Sequence, residues 1–299
     1  MTIDDALREA AGRLVMSRTA RLDAEVLLAH VCETNRTWLY TWGDRELTAT
    51  QHEAFQQLVA QRIEGLPVAY LVGSREFWGL RLETSPATLI PRPDTERLVE
   101  VALEFATPPA GELLDLGTGT GAIALAFASE RPGWRVTGVD LAPDAVTLAQ
   151  ANARQLAIAN ARFLESDWFS ALAGHRFDLI VSNPPYIADD DPHLLRDDVR
   201  FEPRSALVAE ASGMSDLEWL AGRAPDHLQP GGWLWMEHGH TQAALVREVL
   251  LRRGFRDVDS RRDLAGHERV TGGRWGEWSG ARSHSSTARA LNEGYRARW

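Results

Sequence analysis

The segment Asn183-Pro184-Pro185-Tyr186 follows directly on an apolar run that ends at Ser182. A residue before proline is pushed toward extended backbone conformations, so Asn183 is held stiffly, and the prolines offer carbonyl oxygens without competing amide donors. We therefore expect the side-chain oxygen of Asn183 and the carbonyl of Pro184 to form a fixed pair of acceptors. Two such acceptors suit a planar NH2 group, and Tyr186 can lie against its flat face. The segment predicts a clamp for an amide or for the exocyclic amine of a base.

A glycine-rich loop, Asp115 to Gly121, follows another apolar run and opens a helical pattern. Bare backbone at this position can approach a ligand at a helix N-terminus, and glycine is needed because a Cβ would collide with the ligand or the turn. The spacing Gly-x-Gly-x-Gly differs from the dinucleotide fingerprint, so the loop alone does not identify the cofactor. The next apolar run ends in Asp140, whose carboxylate can accept hydrogen bonds from both hydroxyls of a ribose. Loop and acid together predict an adenosine-bearing ligand.

The third apolar run of this region ends in Ser166-Asp167-Trp168. In a parallel sheet these residues would lie at the same edge as the glycine loop, beside the place where an adenine ring belongs. Asp167 can accept from the exocyclic amine, and Trp168 can supply an apolar or stacking wall. We expect both residues to contact the adenine.

Two histidines, His238 and His240, follow the last of the apolar runs. They could suggest a metal pair, but no matching cluster with ligand spacing accompanies them. We expect no metal site, and a structural or cofactor-adjacent role for these residues.

These segments lie in a chain whose pattern changes along its length. Residues 1–75 show helical spacing and predict a helical bundle, and residues 76–93 predict a hairpin and linker. From 94 to 278 apolar runs alternate with helical patterns, which is typical of a mostly parallel sheet covered on both faces. With two further strands near the end, we expect an α/β, doubly wound, seven-stranded sheet. Residues 279–299 are polar and predict a poorly ordered tail.

Composition narrows the function classes. The 299 residues include 32 basic and 42 acidic ones, for a net charge of −10, which disfavours bulk nucleic-acid binding without excluding a local basic groove. The single cysteine, Cys32, excludes an internal disulfide framework and fits a reducing compartment. The N-terminal residues lack an uninterrupted apolar stretch, so neither a signal peptide nor a membrane span is expected. We expect a cytoplasmic protein with no stable nucleic-acid or membrane partner. The oligomeric state is left open, with a monomer expected.

The glycine loop with Asp140 resembles the class I S-adenosylmethionine-dependent methyltransferases, and the Asn183–Tyr186 segment resembles their amino-methylating subset. That subset includes adenine-N6 and cytosine-N4 DNA methyltransferases and protein glutamine methyltransferases. The further motifs and the helical N-terminal region are similar to the HemK/PrmC family, the peptide chain release factor glutamine methyltransferases. The motifs that carry this resemblance are Arg75–Leu80, Thr88–Glu96, Ser166–Leu172, Ser182–Ile187 and Asp198–Leu207.

The resemblance implies a role for each motif. Asn183 would contact both cofactor and substrate, and the residues Asn183, Pro184, Pro185 and Tyr186 would hold the glutamine side-chain amide of the Gly-Gly-Gln motif of class 1 release factors. Catalysis would rest on Asn183, Pro184 and Tyr186. The resemblance does not assign firm roles to Arg92 or Glu96 near the expected substrate mouth. The residues implied in binding S-adenosylmethionine are Gly117, Thr118, Gly119, Thr120, Gly121, Asp140, Asp167, Trp168 and Asn183.

Two alternatives differ in what they predict. A nucleic-acid adenine methyltransferase would share the fold, the cofactor and the amine clamp, but it should carry a target-recognition domain and basic grooves. Here the extra region is helical, and an acidic run from Ala188 to Asp198 follows the clamp. A nonenzymatic adenosine-binding protein would keep the glycine loop and lose the clamp, whereas the Asn183–Tyr186 segment is intact.

Overall fold

Five helices form the N-terminal region, as the sequence predicts. The structure is a computed structural model and describes residues 1–195 and 197–276; the predicted tail at 279–299 lies outside the described residues. Side-chain caps begin the helices: Thr2 accepts from the backbone N–H of Asp5, and Thr48 and Gln51 form a reciprocal capping box. Buried aliphatic residues of these helices pack into one core with Phe55. The helices are α1 (Ile3–Arg13), α2 (Ala20–Val31), α3 (Arg36–Thr41), α4 (Ala49–Ile63) and α5 (Val68–Val72).

A short antiparallel hairpin follows, formed by β1 (Ser74–Phe77) and β2 (Leu80–Glu83). Its two-residue turn, Trp78-Gly79, has positive φ angles of 55° and 70°. Such a turn matches the right-handed twist of the flanking strands. The first strand begins at Ser74, within the range that the sequence analysis assigned to the bundle. The backbone N–H of Trp78 donates to Glu96 Oε1 at 2.9 Å, which fastens the hairpin to the next helix.

The remaining strands form one seven-stranded sheet in the order β5-β4-β3-β6-β7-β9-β8. Neighbours from β5 to β7 pair in parallel, and β9 runs antiparallel to both β7 and β8. This confirms the predicted fold class, including the antiparallel closure near the C-terminal end. The strands are β3 (Glu112–Leu116), β4 (Arg135–Asp140), β5 (Ala161–Glu165), β6 (Phe177–Ser182), β7 (Leu228–Glu237), β8 (Arg256–Arg262) and β9 (Glu268–Arg274).

Helices cover both faces of the sheet, because alternate strand residues point to opposite sides. Leu113 packs into the core beneath one group of helices, and its neighbour Leu114 packs into the core on the other face. The helices are α6 (Glu96–Phe105), α7 (Ala122–Glu130), α8 (Pro143–Gln155), α9 (Glu210–Gly213), α10 (Ser215–His227) and α11 (Ala243–Arg252). Within the described residues, no helix combines the length and the apolar character that crossing a membrane requires.

Charged contacts join the N-terminal helices to the segment that follows β6. The Arg62 guanidinium donates to Asp23 Oδ2 at 2.8 Å and to Asp198 Oδ1 at 2.6 Å. Tyr70 at α5 donates its hydroxyl to the carbonyl of Thr88 at 3.0 Å. The helical region therefore fixes two loops that border the site described next.

Candidate active site

The glycine loop and the Asn183–Tyr186 segment leave the sheet side by side. Their strands β3 and β6 are neighbours, Leu116 is paired with Ser182, and Ser182 Oγ donates to the carbonyl of Leu116 at 2.8 Å. The chain continues from β3 to β4 on one side and from β6 to β7 on the other. The strand order therefore reverses between β3 and β6. Open α/β sheets form their ligand crevices at such a topological switch point.

Positive backbone φ angles of 71° and 54° at Gly117 and Gly119 shape the loop. L-residues rarely adopt this left-handed conformation, whereas glycine does so without a Cβ penalty. The backbone N–H groups of Gly117 and Thr118 both donate to the carbonyl of Val139 at 2.9 Å. The loop therefore rests on the end of β4 and presents its outer side to the crevice.

Gly121 has a different role in the structure. A Cβ built on it would come within 3.1 Å of Leu125 and Phe163 and within 3.2 Å of Ala149. It lies against the core beneath α7 and α8, and it is not among the residues that line the crevice. The space at this position is reserved for packing, so the structure does not bring Gly121 to the ligand side with the other loop residues.

Asp115 lies under the loop as a fully buried carboxyl group. Thr118 Oγ1 donates to its Oδ2 at 2.6 Å. Burial raises the pKa of Asp115 to about 7, against the lowering effect of the hydrogen bond from Thr118. The group does not line the crevice and supports the loop from behind.

Asp140, at the end of β4, is half-buried and lines the crevice. Its Oδ2 accepts from the backbone N–H of Gly119 at 2.9 Å, and its Oδ1 accepts from that of Ala142 at 3.0 Å. A carboxylate offers about four lone-pair positions. Each oxygen of Asp140 can thus accept one more hydrogen bond, as the predicted ribose contact requires.

Asp167 and Trp168 also reach the crevice, as the sequence predicts for their position after β5. Trp168 has a positive φ of 49°, and Ser166 Oγ holds this turn by donating to the Trp168 carbonyl at 2.8 Å. The ring of Trp168 faces Gly117, where a Cβ would lie 3.6 Å from it. A side chain on Gly117 would therefore narrow the crevice against this ring.

The crevice is mostly apolar, with a few polar groups at defined places. Arg92, Asp140 and Asp167 are its charged members. Thr88 also lines it, and Thr88 Oγ1 is buried with no hydrogen-bond partner in the described part of the chain. The lining residues relevant to the sequence predictions are Gly117, Thr118, Gly119, Thr120, Asp140, Asp167, Trp168, Asn183 and Pro185.

Two of the four clamp residues line the crevice, and the other two lie outside its lining. Asn183 and Pro185 line the crevice, whereas Pro184 and Tyr186 do not. Asn183 Nδ2 donates to Thr95 Oγ1 at 3.2 Å, and no described residue donates to its side-chain oxygen. Tyr186 donates its hydroxyl to Glu237 Oε1 at 3.1 Å. The carboxamide is therefore oriented with its NH2 group occupied and its oxygen available as an acceptor.

Sequence reasoning missed the support that Thr95 and Glu237 give to the clamp: Thr95 lines the crevice beside Asn183, and Glu237 lies behind the clamp. Thr95 is the last residue of a 3₁₀ turn, Pro93–Thr95, and is 5% exposed. Glu237 ends β7 and is 2% exposed. An acidic residue at the carboxyl end of an apolar run was the signal used for Asp140, and the same signal could have singled out Glu237.

The structure also accounts for Arg92 and Glu96. Arg92 forms an ion pair with Glu202 Oε1, and Glu202 Oε2 accepts from the backbone N–H of Ile90 at 2.9 Å. Burial raises the pKa of Glu202, and the nearby Arg92 opposes that shift. Arg92 thus anchors one wall of the crevice to the segment after the clamp, whereas Glu96 holds the hairpin.

The two histidines occupy separate environments. His238 is buried, and its Nε2 lies 2.7 Å from Thr271 Oγ1, in the sheet rather than at the crevice. Burial lowers its pKa. His240 is exposed and packs near His267. Among residues 1–195 and 197–276, no group of three or more potential ligands could hold a metal ion.

Comparison with known proteins defines the class and then the family. Residues 95–197 match the family model described as the methyltransferase small domain, and residues 5–73 match that of the PrmC N-terminal domain. A methyltransferase structure from Pyrococcus furiosus superposes with a TM-score of 0.51 at 21% identity, covering 66% of this chain and 90% of that one, which supports the fold. The family match and the fold place the chain in the methyltransferase class.

Curated relatives resolve the class further. The release factor glutamine methyltransferase of Salmonella typhimurium is 55% identical over 90% of this chain and 97% of its own length. That of Vibrio cholerae is 52% identical over 92% of this chain and 97% of its own length. The chain belongs to the release factor glutamine methyltransferase family.

Proposed function

We propose that this protein transfers a methyl group from S-adenosylmethionine to the side-chain amide nitrogen of a glutamine in a peptide chain release factor. The observation that carries the proposal is the carboxamide of Asn183, a residue that lines the crevice beside the glycine loop and whose Nδ2 donates to Thr95, which leaves its oxygen available as an acceptor. Family membership gives the substrate class, since relatives with this name match nearly their full length. We further propose that the glutamine is that of the Gly-Gly-Gln motif of class 1 release factors.

The residues of the crevice fit S-adenosylmethionine. Asp140 has acceptor positions for ribose hydroxyls, and the left-handed glycines leave a bare backbone surface at the start of α7. The unpartnered hydroxyl of Thr88 offers a further polar contact. We assign cofactor binding to Gly117, Thr118, Gly119, Thr120, Asp140, Asp167, Trp168 and Asn183, and to Gly121 only through its packing beneath the loop.

The chemistry follows from the substrate amide. Its nitrogen is a poor nucleophile because its lone pair is delocalised into the carbonyl. The Asn183 oxygen and the Pro184 carbonyl would accept hydrogen bonds from its two N–H groups and localise electron density on the nitrogen. When bound, S-adenosylmethionine supplies the sulfonium methyl group for an in-line displacement, in which the nitrogen–carbon bond would form as the sulfur–carbon bond breaks, leaving a neutral thioether and releasing one amide proton to water. The protein contributes proximity and preorganised acceptors rather than a strong general base.

Pro185 and Tyr186 complete the proposed clamp. Pro185 lines the crevice and limits the space around the amide, while Tyr186 is held at its hydroxyl by Glu237. A ring fixed at one end can present a constant face to a planar group. We assign substrate binding to all four residues and catalysis to Asn183, Pro184 and Tyr186; for Pro184 and Tyr186, which do not line the crevice, the assignment rests on the family resemblance alone.

We also propose the predicted division of the chain into a helical region at 1–75, a hairpin and linker at 76–93, and a methyltransferase domain at 94–278, with the first boundary moved to residue 74, where β1 begins. The separate family matches to residues 5–73 and 95–197 support it. Cytoplasmic action accompanies this proposal, since release factors act in translation and the single cysteine fits a reducing compartment.

The decisive test is methyl transfer from labelled S-adenosylmethionine to a purified class 1 release factor. A release factor with Gln→Ala in its Gly-Gly-Gln motif and a DNA duplex serve as parallel substrates. We expect label on the unmodified factor alone. Label on the altered factor would contradict the assigned glutamine, and label on DNA would favour an adenine-N6 methyltransferase instead.

A further inference from the structure

Glu237 is a buried carboxyl group directly behind the clamp. It ends β7, the strand next to β6, and its side chain points away from solvent between the clamp and the start of α6. It does not line the crevice. Among the described residues its one hydrogen-bond partner is the hydroxyl group of Tyr186, and no cation lies within ion-pair distance, which is an unusual environment for a buried acid.

The hydrogen bonds around Glu237 can be followed atom by atom. Tyr186 donates to Oε1, whereas Oε2 is buried with no hydrogen-bond partner in the described part of the chain. Thr95 Oγ1 already accepts from Asn183 Nδ2, so its own proton must be directed elsewhere. Thr95 is near enough to Glu237 for its hydroxyl to lower the pKa of that carboxyl group. The structure shows no hydrogen bond between Thr95 Oγ1 and Glu237 Oε2, so a shift of one of the two side chains is required to bring the Thr95 hydroxyl within hydrogen-bond distance of Oε2.

We propose that Glu237 is the positioning residue of the clamp. Its carboxylate accepts hydrogen bonds from the hydroxyl groups of Thr95 and Tyr186, and the oriented Thr95 hydroxyl in turn directs the carboxamide oxygen of Asn183 toward the substrate amide. An ionised carboxylate only accepts hydrogen bonds, so both hydroxyls must donate to it. Thr95 can then only accept from the carboxamide, which fixes the NH2 group of Asn183 inward. The role rests on the proposed function, since it concerns the same amide clamp.

Protonation of Glu237 would reverse the direction of the hydrogen bonds that link Glu237, Thr95 and Asn183. A protonated carboxyl group donates, so Thr95 could donate to the Asn183 oxygen and turn the NH2 group toward the substrate. An NH2 group cannot accept the amide protons. Burial raises the pKa of Glu237 to about 7, opposed by Thr95, Tyr186 and Arg269, while Asp94 raises it further. Protonation would therefore occur near neutral pH and reduce kcat on the acid side.

Three substitutions test this role. Glu237→Gln replaces an acceptor with a group that both donates and accepts, and Thr95→Val removes the linking hydroxyl. Thr95→Ser keeps that hydroxyl and should retain the activity that Thr95→Val loses. Glu268→Gln is the matched control, because Glu268 lies on the adjacent strand β9 and pairs with Arg247 away from the crevice. Each is assayed for kcat on the release factor across pH, for S-adenosylmethionine affinity by calorimetry, and for thermal unfolding.

We expect Glu237→Gln and Thr95→Val to lower kcat by about tenfold or more, with cofactor affinity unchanged in Glu237→Gln because Glu237 does not line the crevice. Both should lose the decline of kcat on the acid side that the wild type shows. Thr95→Ser and Glu268→Gln should keep the wild-type kcat and pH profile. Wild-type kcat and pH dependence in Glu237→Gln would overturn the proposal. If that variant does not fold, equal activity of Thr95→Val and Thr95→Ser overturns it instead.

A spectroscopic measurement separates this proposal from the proposed function. The side-chain NH2 resonances of Asn183, assigned by their loss in Asn183→Asp, should shift with an apparent pKa of about 7 in the wild type. They should not titrate in Glu237→Gln. If the wild type labels no release factor but this titration is seen, the function fails and the orienting role stands. If transfer occurs and the resonances titrate alike in both proteins, the orienting role fails alone.

Discussion

The carboxamide nitrogen of Asn183 donates to Thr95 Oγ1 at 3.2 Å, across 88 positions of the chain. This bond joins the end of the central strand β6 to the start of α6. It engages the NH2 group of the carboxamide and leaves the oxygen available as an acceptor.

We predict that Asn183→Ala abolishes turnover while the chain stays folded. Loss of one preorganised acceptor should lower kcat by about a hundredfold or more. Radiolabel transfer and thermal unfolding measure the two properties separately. Asn160→Ala is the control. Asn160 lies just before β5, and its Nδ2 donates to the carbonyls of Ala128, Arg131 and Trp134, so its loss should reduce stability and leave kcat unchanged. Near wild-type turnover in Asn183→Ala would refute the clamp.

Asp140→Ala should weaken cofactor binding before it affects the methyl transfer step. The substitution removes both the proposed ribose acceptors and the bond that holds the Gly119 N–H. We expect calorimetry to show affinity for S-adenosylmethionine reduced by about tenfold or more. Asp144→Ala, an exposed acid in the first turn of α8, should bind as the wild type does. Unchanged affinity in Asp140→Ala contradicts the ribose role.

The Arg92–Glu202 ion pair predicts how the free energy of unfolding should change in a single and in a double variant. Arg92→Ala leaves a fully buried carboxylate without its cation, which should cost about 3 kcal/mol in the free energy of unfolding. Adding Glu202→Gln removes the charge and retains an acceptor for the Ile90 N–H. The double variant should therefore be more stable than Arg92→Ala alone in urea denaturation. A double variant of equal or lower stability would show that the buried charge is not the source of the loss.

Asp115 predicts a pH dependence of stability. Burial raises its pKa from 3.8 to about 7 in the folded state. Between these values the folded protein holds a proton that the unfolded chain has released, so the free energy of unfolding falls as pH rises, by up to about 1.4 kcal/mol per pH unit for one proton. Asp115→Asn lacks this contribution. Its denaturation profile should decline less with pH than that of the wild type, and parallel profiles would exclude Asp115 as the cause.

Binding to the release factor should weaken with salt. The net charge of −10 suggests that the complementary basic surface belongs to the substrate protein. At ~1 M salt the Debye length falls to ~3 Å, so exposed charge pairs are screened. Titration of the factor at increasing salt measures this directly, and an affinity independent of salt would rule out charge complementarity.

The sequence by itself determined the fold class, the alternation of strands and helices along the chain, and the segments whose residues line the crevice. These features depend on short-range signals: hydrophobic period, glycine and proline chemistry, and acids at strand ends. The glycine loop and Asn183 could be placed at one sheet edge because parallel strands end together. Gly121 shows where prediction from sequence ends. A glycine can be required either because a ligand approaches the backbone or because side chains pack closely against it, and only the neighbouring side chains in the structure distinguish the two.

The tertiary structure decided what holds the clamp and the crevice wall. Tyr186 and Glu237 are 51 positions apart, and Arg92 and Glu202 are 110 positions apart. Such contacts depend on which strands become neighbours and on how a loop folds back, and no local pattern encodes them. Thr95 carried no signal of its own, because a threonine at a helix start is common. Its role arises only from the buried hydrogen bonds that must be satisfied once β6, β7 and α6 are packed together.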